Sequence, residues 1–100
     1  MNPERWEKLS LAEQIGNIGS ELSRARSWET KKDRESCRNS LERALILIDL
    51  TLQDPRWKSR LKEPARLREV VSDWYADQKE YDILPESLEA YCTSFALLVR

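Results

Sequence analysis

The run from Leu41 to Leu52 constrains this chain more than any other segment. It reads Leu-Glu-Arg-Ala-Leu-Ile-Leu-Ile-Asp-Leu-Thr-Leu. Wound as a helix, it points apolar groups in nearly every direction, with polar breaks only at Glu42, Arg43, Asp49 and Thr51. A helix apolar almost all round has to be enclosed by other helices. No run in the chain approaches membrane-spanning length, so the enclosure must come from protein. Glycine and proline are sparse (2 and 4) and 35% of residues are charged, which favours helices over a sandwich of short strands. The 40% of residues that are hydrophobic recur at helical spacing and can build one core in 100 residues.

The rest of the sequence supplies the companions. Ser10-Leu11-Ala12-Glu13 is a capping box. Serine oxygen and glutamate side chain each satisfy a backbone N–H of the other's residue. After it, Leu11, Ile15, Ile18, Leu22 and Ala25 repeat at steps of four and three, predicting a helix to about Trp28. Gly16 and Gly19 weaken that helix, and a close helix–helix approach would compensate. Trp6 and Leu9 should pack back on the bundle from a short lead-in. A soft hinge without glycine or proline covers Trp28 to Asp33. The central helix follows to Leu52, with Cys37, Leu41, Ala44, Ile48 and Leu52 as its stripe.

Gln53-Asp54-Pro55 ends it, and Asp54 with Pro55 can start a new turn at once. Pro64 lacks an N–H and clashes with a preceding helical turn. The spacing therefore predicts either a short helix over 55–61 and a new one from 64, or one kinked helix. Leu67, Val70, Val71, Trp74 and Tyr75 share its apolar side. A loop spans Gln78 to Leu84. Pro85 opens the last helix, with Leu88, Tyr91, Cys92, Phe95, Leu98 and Val99 as its stripe. The expected fold is all-α, an antiparallel four-helix bundle in one domain over 1–100.

Chemistry is scarce. There is no histidine, the commonest general base and zinc ligand. A serine or cysteine nucleophile lacks its usual activator. Nucleotide-binding glycine patterns are absent. No metal or cofactor is expected. Cys37 and Cys92 fall on apolar stripes, which reads as buried free thiols; a disulfide between them is the alternative. Glu86 and Glu89 read as a solvated helix face. The first residues lack the apolar core of a signal peptide, so the expected location is the cytoplasm.

Net charge is −1 but unevenly spread. From Asp54 to Arg68, six basic residues (Arg56, Lys58, Arg60, Lys62, Arg66, Arg68) face two acidic ones, a local net of +4, with Trp57 among them. From Glu69 to Glu89, seven acidic residues face Lys79 alone, a local net of −6. The basic segment is a candidate nucleic-acid patch with a stacking tryptophan. A solvated helix face whose tryptophan packs inward fits it better, because the charge of the whole domain is not basic. Both segments together suit a symmetric partner that sets basic against acidic.

Leu67-Arg68-Glu69-Val70-Val71-Ser72-Asp73-Trp74-Tyr75 resembles the signature of HEPN domains (higher eukaryotes and prokaryotes nucleotide-binding), which are small helical bundles. Their motif is an arginine, four to six residues, then a histidine, often with a tyrosine two residues later. Arg68, Asp73 and Tyr75 match that spacing, with aspartate in the histidine place. Ser36 to Leu45 is similar to the second long helix of that fold. The resemblance implies a dimer and, in catalytic members, RNA cleavage where two motifs meet. Arg68 would then stabilise phosphate charge. A carboxylate at Asp73 repels phosphate and, at its ordinary pKa, is no acid at neutral pH. Arg68 and Asp73 project at different angles from one helix, so they would pair across a two-fold axis rather than with each other; two ordinary surface charges on an amphipathic helix is the alternative. Trp74 and Tyr75, with Tyr81, could anchor an interface. The expectation is a non-catalytic protein-interaction module, a homodimer or the binder of a partner protein; the alternative is an RNA-binding or RNA-cleaving protein.

Overall fold

In the computed structural model, residues 2–77 and 85–99 are described. Helix α1 (Pro3–Trp6) is a single turn capped by Asn2. Helix α2 (Leu11–Thr30) starts on the capping box, with both reciprocal bonds made (3.1 and 2.9 Å). Helix α3 (Arg34–Gln53) is capped by Asp33, whose carboxylate accepts from the Ser36 N–H and hydroxyl. A 3-10 turn (Pro55–Trp57) leads to α4 (Lys62–Ala76), and α5 (Pro85–Val99) is last. The chain is an all-α bundle. A three-residue connection folds α3 back on α2, and these two long helices form the centre. Helix α4 packs on α3, and α5 packs on α2. The expected loop at Gln78 to Leu84, and Tyr81 within it, lie outside the described residues.

The apolar repeat of α2 is buried as its spacing requires: Leu11, Ile15, Ile18, Leu22 and Ala25 are all sealed. So are Leu41, Ala44 and Ile48 of α3. The enclosure of α3 is nevertheless incomplete. Ile46 is 54% exposed, and Leu45, Leu47, Leu50 and Leu52 are half-buried. The buried stripe instead carries two hydroxyls, Ser40 and Thr51. A helix packed mainly on α2 and α4, with α1 touching it only at one end, does not hide a full apolar circumference. Helix α5 departs from expectation in the same way. Leu88 and Cys92 are buried, but Leu98 is 83% exposed. Cys37 and Cys92 are buried free thiols.

Pro64 neither kinks a helix nor opens one. It occupies the third position of α4, where the backbone N–H has no intrahelical acceptor and its absence costs nothing. The short helix expected over 55–61 is a single 3-10 turn.

One buried polar network ties the lead-in, α2 and the 3-10 turn together. Gln14 is fully buried on the apolar side of α2. Its amide nitrogen donates to the Trp6 carbonyl (2.9 Å) and to Asp54 (3.1 Å), and its amide oxygen accepts from the Trp57 indole (2.9 Å). The Trp6 indole N–H donates to Thr51 of α3 (3.1 Å). Each end of the amide is thereby satisfied without water. Asp54 in turn accepts from the Arg56 guanidinium (2.7 Å), which holds its carboxyl below the usual range, with the Gln14 amide and the Arg56 backbone N–H adding to the effect.

The two glycines of α2 are not equivalent. A methyl group on Gly19 would lie 3.1 Å from Cys92 Cβ, so this glycine marks where α5 closes on α2. Gly16 has open space in that direction. Gly16→Ala should therefore stabilise the fold by about 0.5–1 kcal/mol through helix propensity alone. Gly19→Ala should gain less, or lose, because Cys92 has to yield; paired thermal melts read the difference. Gln14→Leu should cost about 2–4 kcal/mol, since it strands the Trp57 N–H, the Trp6 carbonyl and Asp54 in a dry site. Urea denaturation with an unchanged slope checks it. Because the folded pKa of Asp54 is depressed, its contribution is complete above the unfolded value of about 4 and is lost as pH falls through the folded value. Melting temperature should fall below about pH 4, less steeply in Asp54→Asn.

Candidate functional site

The residues singled out by sequence divide among three places. Arg56 and Trp57, expected on a nucleic-acid patch, belong to the internal network. The Trp57 ring edge points at Gln14, and the Arg56 guanidinium covers the ring face at 4.4 Å. Arg56 also donates to the Leu9 carbonyl (2.7 Å). Stacking a base on Trp57 would require displacing Arg56 from a carboxylate. The inward-packing reading of that tryptophan is the one the geometry matches. Lys58, Arg60 and Lys62 are exposed along the connection into α4, and Arg66 is exposed on α4 itself.

The second place is the outer face of α4 against α3. Arg68 Nε lies 2.5 Å from Asp49 Oδ1, and Arg68 also donates to the Ser72 hydroxyl (3.2 Å). Asp49 raises the guanidinium pKa by hydrogen bonding and by charge, so Arg68 stays a fixed cation with a carboxylate of its own. Asp73 is only 8% exposed. The expected pairing of Arg68 with a second chain's Asp73 requires Asp73 at the surface, and burial removes it from there. Arg68 therefore sits in a partly exposed ion pair, whereas Asp73 is not a surface charge.

Trp74 and Tyr75 belong to the third place. They wall a cleft of about 380 Å³ where the end of α4 meets the α2–α3 turn. Cys37 and Leu41 of α3 supply its apolar lining. Arg38 lies flat over the Tyr75 ring at 4.3 Å and reaches the Tyr75 carbonyl at 3.4 Å, a long contact that leaves most of its donors open. The Tyr75 hydroxyl donates to Glu42 (2.6 Å), which fixes the ring. Lys32, Arg34 and Asp77 form the rim, with Arg34 and Asp77 loosely paired at 3.8 Å.

Two rim residues share an uncommon backbone. Lys32 (φ 61°) and Asp77 (φ 54°) are the non-glycine residues in the left-handed region among those described. Lys32 lets the chain turn between α2 and α3, and Asp77 terminates α4. Glycine would adopt either conformation more readily. The sequence signal for this was the hinge at Trp28 to Asp33, which lacks glycine.

The site is poorly equipped for covalent chemistry. Burial pushes the Cys37 thiol up, and it pushes Cys92 up to about 12. Thiols so shifted are poor nucleophiles at neutral pH. Glu89, expected on a solvated face, instead bridges α5 to Arg26 of α2 at 2.6 Å, and Arg26 holds its pKa down. Among the described residues, no group of three or more metal-ligating side chains converges, and no helix is long and apolar enough to cross a membrane. Compared with known proteins, the chain matches no family model, no curated protein and no solved structure.

Proposed function

We propose that this chain is a non-catalytic protein-interaction module, HEPN-like and cytoplasmic, that dimerises or binds a partner protein through the Trp74–Tyr75 cleft. One observation carries the reading: both left-handed, non-glycine residues stand on the rim of the same cleft. Backbone strain of this kind costs about 1–2 kcal/mol per residue and persists where the side chain has a use. A lysine and an aspartate at those positions sacrifice stability and place two charges beside an aromatic wall. Tryptophan, tyrosine and arginine are also the residue types that anchor protein interfaces. The missing histidine and the raised thiols support a non-catalytic role, and so does the commitment of Arg68 to Asp49.

RNA contact is the second reading, and it rests on Lys58, Arg60 and Lys62, which lie exposed on one connection. It lacks a free aromatic, since Trp57 is turned inward.

Sedimentation equilibrium over a range of concentrations should show a dimer that Trp74→Ser weakens by about tenfold, the effect of losing one buried aromatic anchor. Lys32→Gly is the sharper variant. Relief of the left-handed strain, less the entropy of glycine, should raise stability by about 0.5–1 kcal/mol. Association should fall at the same time. A monomer at every concentration removes the dimer. Salt-dependent RNA binding lost in Arg60→Glu would shift the assignment to the second reading.

A further inference from the structure

We infer that the groove between α2 and α3 beside α1 docks an acidic segment of a partner protein, with Arg5, Arg24 and Arg43 receiving its carboxylates and Ile46 its apolar side chain. The groove is separate from the Trp74–Tyr75 cleft and shares no residue with it, so it stands or fails independently of the function proposed above.

The groove holds about 410 Å³. Among the described residues its charges are three arginines, Arg5, Arg24 and Arg43, and one carboxylate, Glu21. That is an excess of two positive charges on a chain whose net charge is −1. Glu21 is largely buried and holds two of the arginines at once. One oxygen accepts from Arg24 (2.7 Å) and the other from Arg43 (3.0 Å). Arg43 is steadied further by the Ser40 hydroxyl (3.0 Å).

The consequence is a pair of guanidinium groups fixed from beneath and open above. Arg24 and Arg43 side chains remain 59% and 53% exposed. A guanidinium has five N–H donors, and these bonds use one on Arg24 and two on Arg43. Donors fixed in advance bind a carboxylate or phosphate at less entropic cost than free side chains do. One buried carboxylate cannot neutralise three cations, so the groove is complementary to an anion.

Ile46 decides which kind of anion. It is one of three large apolar residues that stand exposed among those described, and it lies in this groove beside Leu47. Among the described residues no aromatic lines the groove, so they offer nucleic-acid bases no stacking surface. An acidic peptide supplies what both features ask for, since it carries carboxylates and apolar side chains on one strand or helix.

The test is fluorescence anisotropy of the full chain with a short fluorescein-labelled peptide of alternating glutamate and leucine. Binding should weaken as salt rises. The double charge reversal Arg24→Glu with Arg43→Glu should weaken it about tenfold or more, as loss of paired charges at an interface does. Ile46→Ser should weaken it several-fold with no loss of thermal stability, because Ile46 is exposed; it and Arg5→Glu keep the test valid if the double variant does not fold. Arg60→Glu, on the α4 connection, should leave binding unchanged. The inference is overturned if the peptide does not bind, or if Arg60→Glu weakens it as much. It is also overturned if oligouridylate RNA binds in preference, with the same dependence on Arg24 and Arg43 and none on Ile46.

Discussion

A single buried amide ties α1 and the 3-10 turn to α2 at one end of the bundle. Gln14 stands in the apolar stripe of α2, where a leucine would be the simpler choice for a core. Its amide nitrogen and oxygen are matched by three groups from two segments: the Trp6 carbonyl of α1, and Asp54 and the Trp57 indole at the 3-10 turn. Apolar contact is non-directional and would accept many positions of α1 and the 3-10 turn. A dry amide accepts only positions that satisfy it, because each stranded polar group costs about 1–3 kcal/mol. Gln14 thus converts a greasy end of the bundle into a specified one. The same network engages the Arg56 guanidinium and the Trp57 indole N–H, although Arg56 stays exposed and Trp57 is half-buried.

How far the sequence could be read depended on how local the cause was. Leu11 to Ala25, the capping box at Ser10 and the turn at Asp54-Pro55 follow from spacing and from hydrogen bonds between near neighbours. All are found where those rules put them. Ile46 and Leu98 could not be placed this way. Their exposure follows from how many neighbours each helix has, and periodicity does not count neighbours. Gln14 was legible in part, since a glutamine one helical turn after Leu11 and next to Ile15 falls on the buried stripe. Its partners come from positions up to 43 residues away, and no local pattern joins them. Glu89 was misjudged for a related reason. Charge suggests solvent, whereas a carboxylate beside an arginine on a neighbouring helix, as Glu89 is beside Arg26, can be drawn into the interface between helices.

Arginine 68 shows how the same fact bears on function. Read as a motif, it is a free cation separated by four residues from a reactive position. In the fold its carboxylate partner is Asp49, on the helix alongside. A guanidinium so engaged must give up one carboxylate to bind another anion. That exchange is close to neutral for a partly exposed pair. The cations that gain most from an anion are those with donors in excess of their carboxylates. Arg24 and Arg43 share one carboxylate between them, and Arg38 rests on a ring with one long hydrogen bond. Donors in excess of carboxylates, rather than a motif spacing, therefore mark where an anion would gain most on this bundle, and the exposed Lys58, Arg60 and Lys62 share that property with Arg24, Arg43 and Arg38.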